Sequence, residues 1–246
     1  MPQSPVSADG FLGGRLTLRQ PARGYRAGAD AALLAAACDA RAGDRVLEIG
    51  CGVGAVLLAA AMRRLDARFV GVEREPDALA LARENIASNA LGERVSVQSG
   101  DVGAGLGGLS GFDAVLTNPP FFDDPTRVRP PQPAKRASHL AREVLDDWVA
   151  AMLKAARNGG TLTLIHRADR LGDVLRVLAP KAGSIRVRPV QPFADEPAKR
   201  VIVRALKGGR APLVLLPALI LHDRTGAKHT PETEAILRGH AALGCG

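Results

Sequence analysis

Short apolar strand segments alternate with helical segments along most of this chain, and this alternation constrains its fold more than any other feature. The strand segments are RVLEIG (45–50), RFVGVE (68–73), RVSVQSG (94–100), FDAVLTN (112–118), GTLTLIH (160–166), SIRVRPV (184–190) and KRVIVRALK (199–207). Helical patterns lie between them, at 55–65, 76–91, 138–156 and 169–178. Strand–helix alternation at this spacing predicts an α/β fold, a mostly parallel sheet with helices on both faces.

The chain length fits one such domain with appendages. It has 246 residues, of which 46% are hydrophobic, and this is enough to form a substantial core. We expect a single domain made of an N-terminal extension (1–39), a core (40–207) and a C-terminal tail (208–246). In the tail we expect a short strand, a turn and a last helix that Thr230 caps and Pro231 begins.

The sequence shows no sign of export or of a membrane span. No run approaches the roughly 18 apolar residues that a membrane helix needs, and the N-terminus lacks a secretory pattern. Three cysteines are too few and too scattered for a disulfide framework, and the five histidines have no spacing that builds a metal site. We therefore expect a cytoplasmic, monomeric protein without a metal, in which Cys51 is a small filler.

Charge is distributed unevenly along the chain. Residues 1–125 carry 12 basic and 15 acidic side chains, whereas residues 126–246 carry 21 and 10, which gives net charges of −3 and +11. A genome rich in G and C would enrich arginine everywhere, but it would not make the halves differ. The asymmetry indicates a polyanionic partner, a nucleic acid before a membrane. The candidate contacts in the proline-rich segment 121–138 are Arg127, Arg129, Lys135 and Arg136.

A glycine loop follows the first of these strands, in LEIGCGVG (47–54). Gly50, Gly52 and Gly54 allow a sharp turn and a close approach of a ligand to the backbone. Their spacing is GxGxG, whereas the dinucleotide fingerprint is GxGxxG, and Glu48 before the loop would repel a pyrophosphate. A cationic or neutral ligand with an amino group fits better, and S-adenosylmethionine, which has an α-amino group and a sulfonium, is such a ligand.

Acidic residues end the next two strands. Glu73 could accept hydrogen bonds from both ribose hydroxyls of a nucleoside cofactor, and Asp101, with Val102 beside it, could accept from an adenine amine. Acidic residues also end strands for purely structural reasons. Three of them, Glu48 included, after three successive strands beside a glycine loop favour a ligand site.

The fourth strand ends in Asn118-Pro119-Pro120-Phe121, at the same predicted edge. The Asn118 amide oxygen and the Pro119 carbonyl, held rigidly by Pro120, supply two fixed hydrogen-bond acceptors, and Phe121 supplies an aromatic face. Together they suit a planar base with an exocyclic NH₂ group, whose nitrogen lone pair is otherwise delocalised into the ring. Catalysis would then depend mainly on positioning and electrostatics.

These motifs carry a family resemblance. LEIGCGVG, VERE, GD and NPPF, in this order and spacing, resemble the class I S-adenosylmethionine-dependent methyltransferases that modify exocyclic amines. Three further stretches are similar to the family that methylates N6 of the adenine beside the anticodon of a valine tRNA: 20–36, 198–209 and 230–239. The resemblance implies a Rossmann-like sheet of seven strands with strand seven antiparallel, S-adenosylmethionine as cofactor, and tRNA as substrate.

The resemblance also assigns roles to residues. It implies that Asn118 to Phe121 grip the target base, and that Arg26, Gly28 and Asp30 lie near the cofactor, with Arg26 meeting its carboxylate. The alternative for GYRAGADAALLAA is a capped helix with Asp30 in its first turn.

The motif also resembles those of other methyltransferases that act on planar NH₂ groups. As NPPF it is similar to guanine-N2 methyltransferases of ribosomal RNA, and in the form NPPY to glutamine-N5 methyltransferases of release factors. A protein that binds cofactor and RNA without catalysis is a further possibility, which the intact Asn118 and Pro119 disfavour. The basic second half of the chain disfavours a protein substrate.

Overall fold

The computed structural model describes residues 5–23, 26–120 and 134–244, with the backbone alone for 134–144. Its strands are β1 (Val6–Phe11), β2 (Leu16–Pro21), β3 (Arg45–Ile49), β4 (Arg68–Glu73), β5 (Val95–Ser99), β6 (Phe112–Thr117), β7 (Ala156–Arg167), β8 (Ala182–Gln191), β9 (Arg200–Lys207), β10 (Val214–Leu215) and β11 (Leu219–Ile220). Its helices are α1 (Ala29–Ala36), α2 (Ala55–Arg63), α3 (Pro76–Ser88), α4 (Ala134–Ala155), α5 (Leu171–Leu178) and α6 (Pro231–Leu237).

The main sheet has the order β10-β8-β9-β7-β6-β3-β4-β5, and β11 also pairs with β8. Strands β5, β4, β3, β6 and β7 run parallel, while β9 lies antiparallel between β7 and β8. Strands β3 to β9 are the seven that the sequence predicts, and the antiparallel seventh is among them. The predicted mostly parallel, Rossmann-like sheet is therefore confirmed, with β10 and β11 added at one edge.

The helices cover both faces of the sheet. One hydrophobic cluster joins α1, α2, α3 and α6 to one face, and a second cluster joins α4 and α5 to the other. Phe69 and Phe112, both at most 1% exposed, are the largest fully buried side chains of the two clusters. This confirms the predicted layers. In the described part of the chain, no helix combines the length and apolar character of a membrane span.

An antiparallel hairpin of β1 and β2 precedes α1 and packs on α3. The strands pair in register from Val6 opposite Pro21 to Phe11 opposite Leu16. Leu16 and Leu18 are buried and alternate with exposed residues, which is the period expected of a half-buried strand. The hairpin is absent from the sequence prediction, although this alternation is a signal for it.

The C-terminal tail folds back onto the first helix. The side chain of Thr230 accepts a hydrogen bond from Thr233 N at 3.3 Å, and Pro231 begins α6, as the sequence predicts. The Arg63 guanidinium at the end of α2 donates to the carbonyls of Ile236 and Ala241. These hydrogen bonds hold the tail against the first hydrophobic cluster, which contains α1 and α2.

Candidate active site at the carboxyl edge of the sheet

The glycine loop and the polar residues that follow β4, β5 and β6 lie at one edge of the sheet. Ile49 lies opposite both Val72 and Thr117, and Glu73 lies opposite Ser99, so β3 to β6 end almost level. Because these strands are parallel, the segments that follow them emerge side by side. The glycine loop, Glu73, Asp101 and Asn118 therefore share the carboxyl edge, where open α/β sheets bind their ligands.

The glycine loop turns back over the end of β4. The backbone N–H groups of Gly50 and Cys51 both donate to Val72 O, at 2.8 and 3.0 Å. All three glycines have positive φ, +70° at Gly50, +54° at Gly52 and +87° at Gly54. L side chains rarely adopt this conformation, so the turn requires glycine.

Two of these glycines have very different surroundings. A Cβ at Gly50 would stand 2.4 Å from Cη2 of Trp148, whose indole packs against the loop from α4. A Cβ at Gly52 would meet no heavy atom of the described residues within 4 Å. Gly50 is thus required for packing, while Gly52 leaves the loop backbone accessible to a ligand. Trp148 is predicted to pack against the sheet, and its contact with the loop is a finding of the structure.

Glu73 is tied to the glycine loop. Its Oε2 accepts a hydrogen bond from Gly52 N at 2.8 Å, and its Oε1 accepts from the backbone N–H groups of Arg74 and Glu75 at 2.8 and 2.9 Å. Three backbone donors fix the carboxylate beside the loop. Oε1 already accepts two hydrogen bonds, so the remaining acceptor site is on Oε2, where it can accept from a hydroxyl group of a ligand.

Glu48 is a buried carboxyl group beneath this arrangement. It is 2% exposed, and its Oε2 has no hydrogen-bond partner among the described residues. Burial raises the pKa of this carboxyl well above its ordinary value, and the nearby Glu73 raises it further, against a lowering by the Leu57 backbone. This buried oxygen can therefore accept a further hydrogen bond, and an ammonium group would fit.

Asp101 follows β5 and forms its own turn. Its Oδ1 accepts a hydrogen bond from Gly103 N at 2.7 Å, and its Oδ2 lies 3.4 Å from Nη1 of Arg74, an exposed side chain. Val102 is partly buried against the second hydrophobic cluster. Gly100 N donates to Glu73 O, so β4 and this turn are held together.

Asn118 stands at the end of β6, beside the glycine loop. Thr117, the last residue of the strand, is fully buried and its Oγ1 donates to Ile49 O at 2.9 Å. Asn118 is half-buried, Pro119 is buried and Pro120 is exposed. Phe121, Arg127 and Arg129 lie outside the described residues, as do the side chains of Lys135 and Arg136, so the structure does not address these predictions.

The N-terminal candidates lie beside α1 and are already engaged within the chain. Nη2 of Arg26 pairs with Asp9 at 2.6 Å, and Asp30 pairs with Arg200 at 3.0 Å. Gly28 is the N-cap residue of α1, with an extended backbone. The structure thus anchors Arg26 to the hairpin and Asp30 to β9.

Cys51 is a buried filler in this site, as the sequence predicts. A Cβ at Gly71 would lie 2.7 Å from the Cys51 Sγ, so the thiol occupies the space that glycine leaves. Burial, together with Glu48 and Glu73, raises the pKa of the thiol well above its usual range. In the part of the chain that the structure describes, no group of three His, Cys, Asp or Glu side chains could hold a metal.

Comparison with known proteins identifies the family. The methyltransferase small domain family matches residues 26–168, which contain the glycine loop, Glu73, Asp101 and Asn118. The chain belongs to this methyltransferase family. The membership agrees with the resemblance carried by the sequence motifs.

Named relatives extend beyond the matched region. A tRNA1(Val) (adenine(37)-N6)-methyltransferase from Porphyromonas gingivalis is 31% identical over 241 residues, which cover 92% of each chain. A protein of the same name from Dyadobacter fermentans is 26% identical and covers 91% of this chain and 93% of its own. A release factor glutamine methyltransferase from Caulobacter vibrioides is 33% identical, over 59% of this chain and 53% of its own.

Solved structures support the same fold. The crystal structure of a protein described as a predicted O-methyltransferase from Agrobacterium tumefaciens has a TM-score of 0.73 and 25% identity, over 87% of this chain and 98% of its own. TYW2 from M. jannaschii in complex with AdoMet has a TM-score of 0.57 and 13% identity, over 83% of this chain and 87% of its own. At that identity the second likeness concerns the fold alone.

Proposed function

We propose that this methyltransferase transfers the methyl group of S-adenosylmethionine to the exocyclic N6 amine of an adenine in tRNA, next to the anticodon. The observation that carries the proposal is likeness over almost the whole chain. The adenine-N6 relative from Porphyromonas gingivalis aligns with 92% of it, whereas the glutamine relative from Caulobacter vibrioides aligns with 59%. The first alignment therefore extends well beyond the methyltransferase core that both relatives share.

The carboxyl edge provides the groups that this cofactor needs. S-adenosylmethionine supplies an activated methyl group on a positively charged sulfur. Glu73 would accept from a ribose hydroxyl at the remaining site on its Oε2, and Asp101 would accept from the adenine amine, with Val102 against the ring. Glu48, whose Oε2 has no partner among the described residues, would accept from the α-ammonium group.

A cationic ligand also changes the charge state of Glu48. Burial holds this carboxyl in its neutral form over a wider pH range than an exposed glutamate, because its pKa is raised. A nearby ammonium group or sulfonium favours the ionised form. Cofactor binding is therefore expected to release a proton from Glu48, and this would favour a cation over a pyrophosphate.

Asn118 and Pro119 would activate the target amine. An adenine amine is a poor nucleophile because its lone pair is delocalised into the ring. The Asn118 amide oxygen and the Pro119 carbonyl can accept hydrogen bonds from its two N–H groups. These bonds favour a pyramidal nitrogen whose lone pair points at the methyl group. An amide is no strong base, so the proton leaves after the transfer, and most of the rate arises from positioning. Phe121 would stack on the extruded base.

RNA binding would involve the basic second half of the chain. We propose contacts to phosphates from four basic residues that follow Asn118 in sequence. Arg127 and Arg129 precede α4, and Lys135 and Arg136 belong to its first turn. Such contacts release counterions, so the affinity should fall steeply with salt. An anticodon loop presents unpaired bases, and turning one out costs less than opening a duplex.

One labelling experiment tests both the proposed function and the glutamine alternative. Tritium from labelled cofactor is followed into tRNA, ribosomal RNA and release factor, each taken from a strain that lacks the gene, and both RNAs are then digested to nucleosides. N6-methyladenosine in tRNA is expected. Label in the release factor, or N2-methylguanosine in ribosomal RNA, would overturn the proposal.

Asn118→Ala provides the control for the catalytic role. Loss of one preorganised contact at the reacting nitrogen should reduce the turnover number about 100-fold or more, while the cofactor Kd changes little. Calorimetry with S-adenosylhomocysteine measures that Kd. Near-normal turnover of the variant would contradict the role proposed for Asn118.

A further inference from the structure

A buried asparagine joins three separate segments next to the glycine loop. Asn85 on α3 is fully buried, and its Oδ1 accepts a hydrogen bond from Arg19 N at 2.7 Å. Its Nδ2 donates to Arg19 O and to Val53 O, both at 2.9 Å. One side chain therefore bonds strand β2 on one side and the backbone of the glycine loop on the other.

A second asparagine, one turn later on α3, bonds the backbone of β2 in the same way. Asn89 Oδ1 accepts from Thr17 N at 3.0 Å, and its Nδ2 donates to Thr17 O at 2.8 Å. The same Nδ2 also donates to Asn85 O within its own helix. Asn89 binds the hairpin as Asn85 does, but it has no hydrogen bond to the loop among the described residues.

The hairpin also forms hydrogen bonds with the segment that precedes α1. Gln20 Oε1 accepts from Ala27 N at 2.9 Å, and Asp9 holds the Arg26 guanidinium. Asn85 thus stands at the joint between the glycine loop and the segment around residues 26–30. The loop is part of the proposed cofactor site, and the sequence resemblance places the segment near the same cofactor.

We propose that Asn85 is a positioning residue for cofactor binding, because it fixes the glycine loop relative to the N-terminal hairpin. This rests on the function proposed above. Val53 lies between Gly52, whose N–H bonds Glu73, and Gly54, which begins α2. Without the Asn85 donor, the Val53 carbonyl loses its partner, and the loop backbone can shift at the position where the ligand approaches.

Asn89→Ala is the matched control for Asn85→Ala, because each change removes one pair of bonds to the backbone of β2. Both variants should lower the melting temperature through a looser hairpin. Only Asn85→Ala should weaken binding of S-adenosylhomocysteine, by about tenfold, the change expected from one lost bond to a buried carbonyl. At saturating cofactor, Asn85→Ala should keep a near-normal turnover number with a raised cofactor KM.

Asn85→Asp serves if the alanine variant does not fold. It keeps an acceptor for Arg19 N, and as a carboxylate it loses the donor to both Arg19 O and Val53 O, so it should weaken cofactor binding in the same way. Amide hydrogen exchange of residues 50–58, measured without any ligand, should be faster in both Asn85 variants than in Asn89→Ala.

The exchange measurement separates this proposal from the proposed function. If the wild type bound no S-adenosylhomocysteine, the function would be wrong, and the loop exchange would still decide the role of Asn85. Equal cofactor affinity and equal loop exchange in the Asn85 and Asn89 variants would overturn the proposal.

Discussion

Substituting alanine at two glycines of the same loop should separate packing from ligand access. Gly50 faces Trp148, and a Cβ there would lie 2.4 Å from Cη2 and 2.9 Å from Cζ3 of the indole. Real Cβ atoms do not approach other atoms this closely, so the indole or the loop must move. Gly52 has the same kind of backbone, with φ of +54°, but no heavy atom of the described chain near its Cβ position.

The expected losses of stability follow from these surroundings. An alanine held in the left-handed region costs about 1–2 kcal/mol at either position. Overpacking against Trp148 adds about 1–3 kcal/mol at Gly50. Gly50→Ala should therefore lose about 2–5 kcal/mol, or roughly 4–20 °C in melting temperature, at about 2–4 °C per kcal/mol for a chain of this length. Gly52→Ala should lose roughly 2–8 °C by the same conversion.

Thermal unfolding and cofactor calorimetry together test this reasoning. Gly52→Ala should bind S-adenosylhomocysteine at least about tenfold more weakly, since its new methyl group points to the side from which the ligand approaches. Trp148→Phe should recover part of the stability lost in Gly50→Ala, because a smaller ring relieves the clash but not the backbone strain. A Gly50→Ala variant that melts with the wild type would refute the packing argument, and the absence of any recovery would do the same.

Two further predictions concern stability alone. Glu48→Gln should stabilise the ligand-free protein at pH 7 and not at pH 4. The folded-state pKa of Glu48 is raised above its ordinary 4.5. The stability that the wild type has below its unfolded-state pKa is therefore lost as the pH rises toward the folded-state pKa, by up to about 1.4 kcal/mol per pH unit. Equal unfolding midpoints of the two proteins in denaturant at pH 7 would contradict this. Thr230→Ala should cost about 1 kcal/mol through loss of the cap on Thr233 N, and Thr230→Ser should cost little; the reverse order in a melting experiment would show that the cap contributes nothing.

Much of the fold could be predicted because its signals are local. Each central strand is a short apolar run that ends at glycine or at a polar residue, and Pro76 begins α3 as expected. The meeting of Glu73, Asp101 and Asn118 also follows from sequence, since parallel strands bring the residues after them to a common edge. The Thr230 cap is equally local, because its partner is three residues away.

The remaining features depend on contacts between distant parts of the chain. Asp9 and Gly10 make VSADGF a poor strand by propensity, and pairing with β2 overrides this. Asp9 also pairs with Arg26, a contact across 17 residues that the sequence does not predict. Asn85 resembles any polar residue on a helix until the hairpin covers it. Likewise, the raised pKa of Glu48 depends on burial, which its neighbours in sequence do not reveal.

The two asparagines of α3 also have a geometric consequence for strand β2. Residues four apart on a helix are separated by about 6 Å along its axis, and residues two apart on a strand by about 6.8 Å. The two spacings are nearly equal, so Asn85 and Asn89 can form hydrogen bonds with the outward-facing backbone of Arg19 and Thr17, as a neighbouring strand would. If β2 shifted by one residue along α3, the backbone groups facing the two asparagines would be ones that already form hydrogen bonds with β1. The helix therefore sets the alignment of a hairpin distant from it in the chain, and closes an edge that could otherwise pair with another molecule.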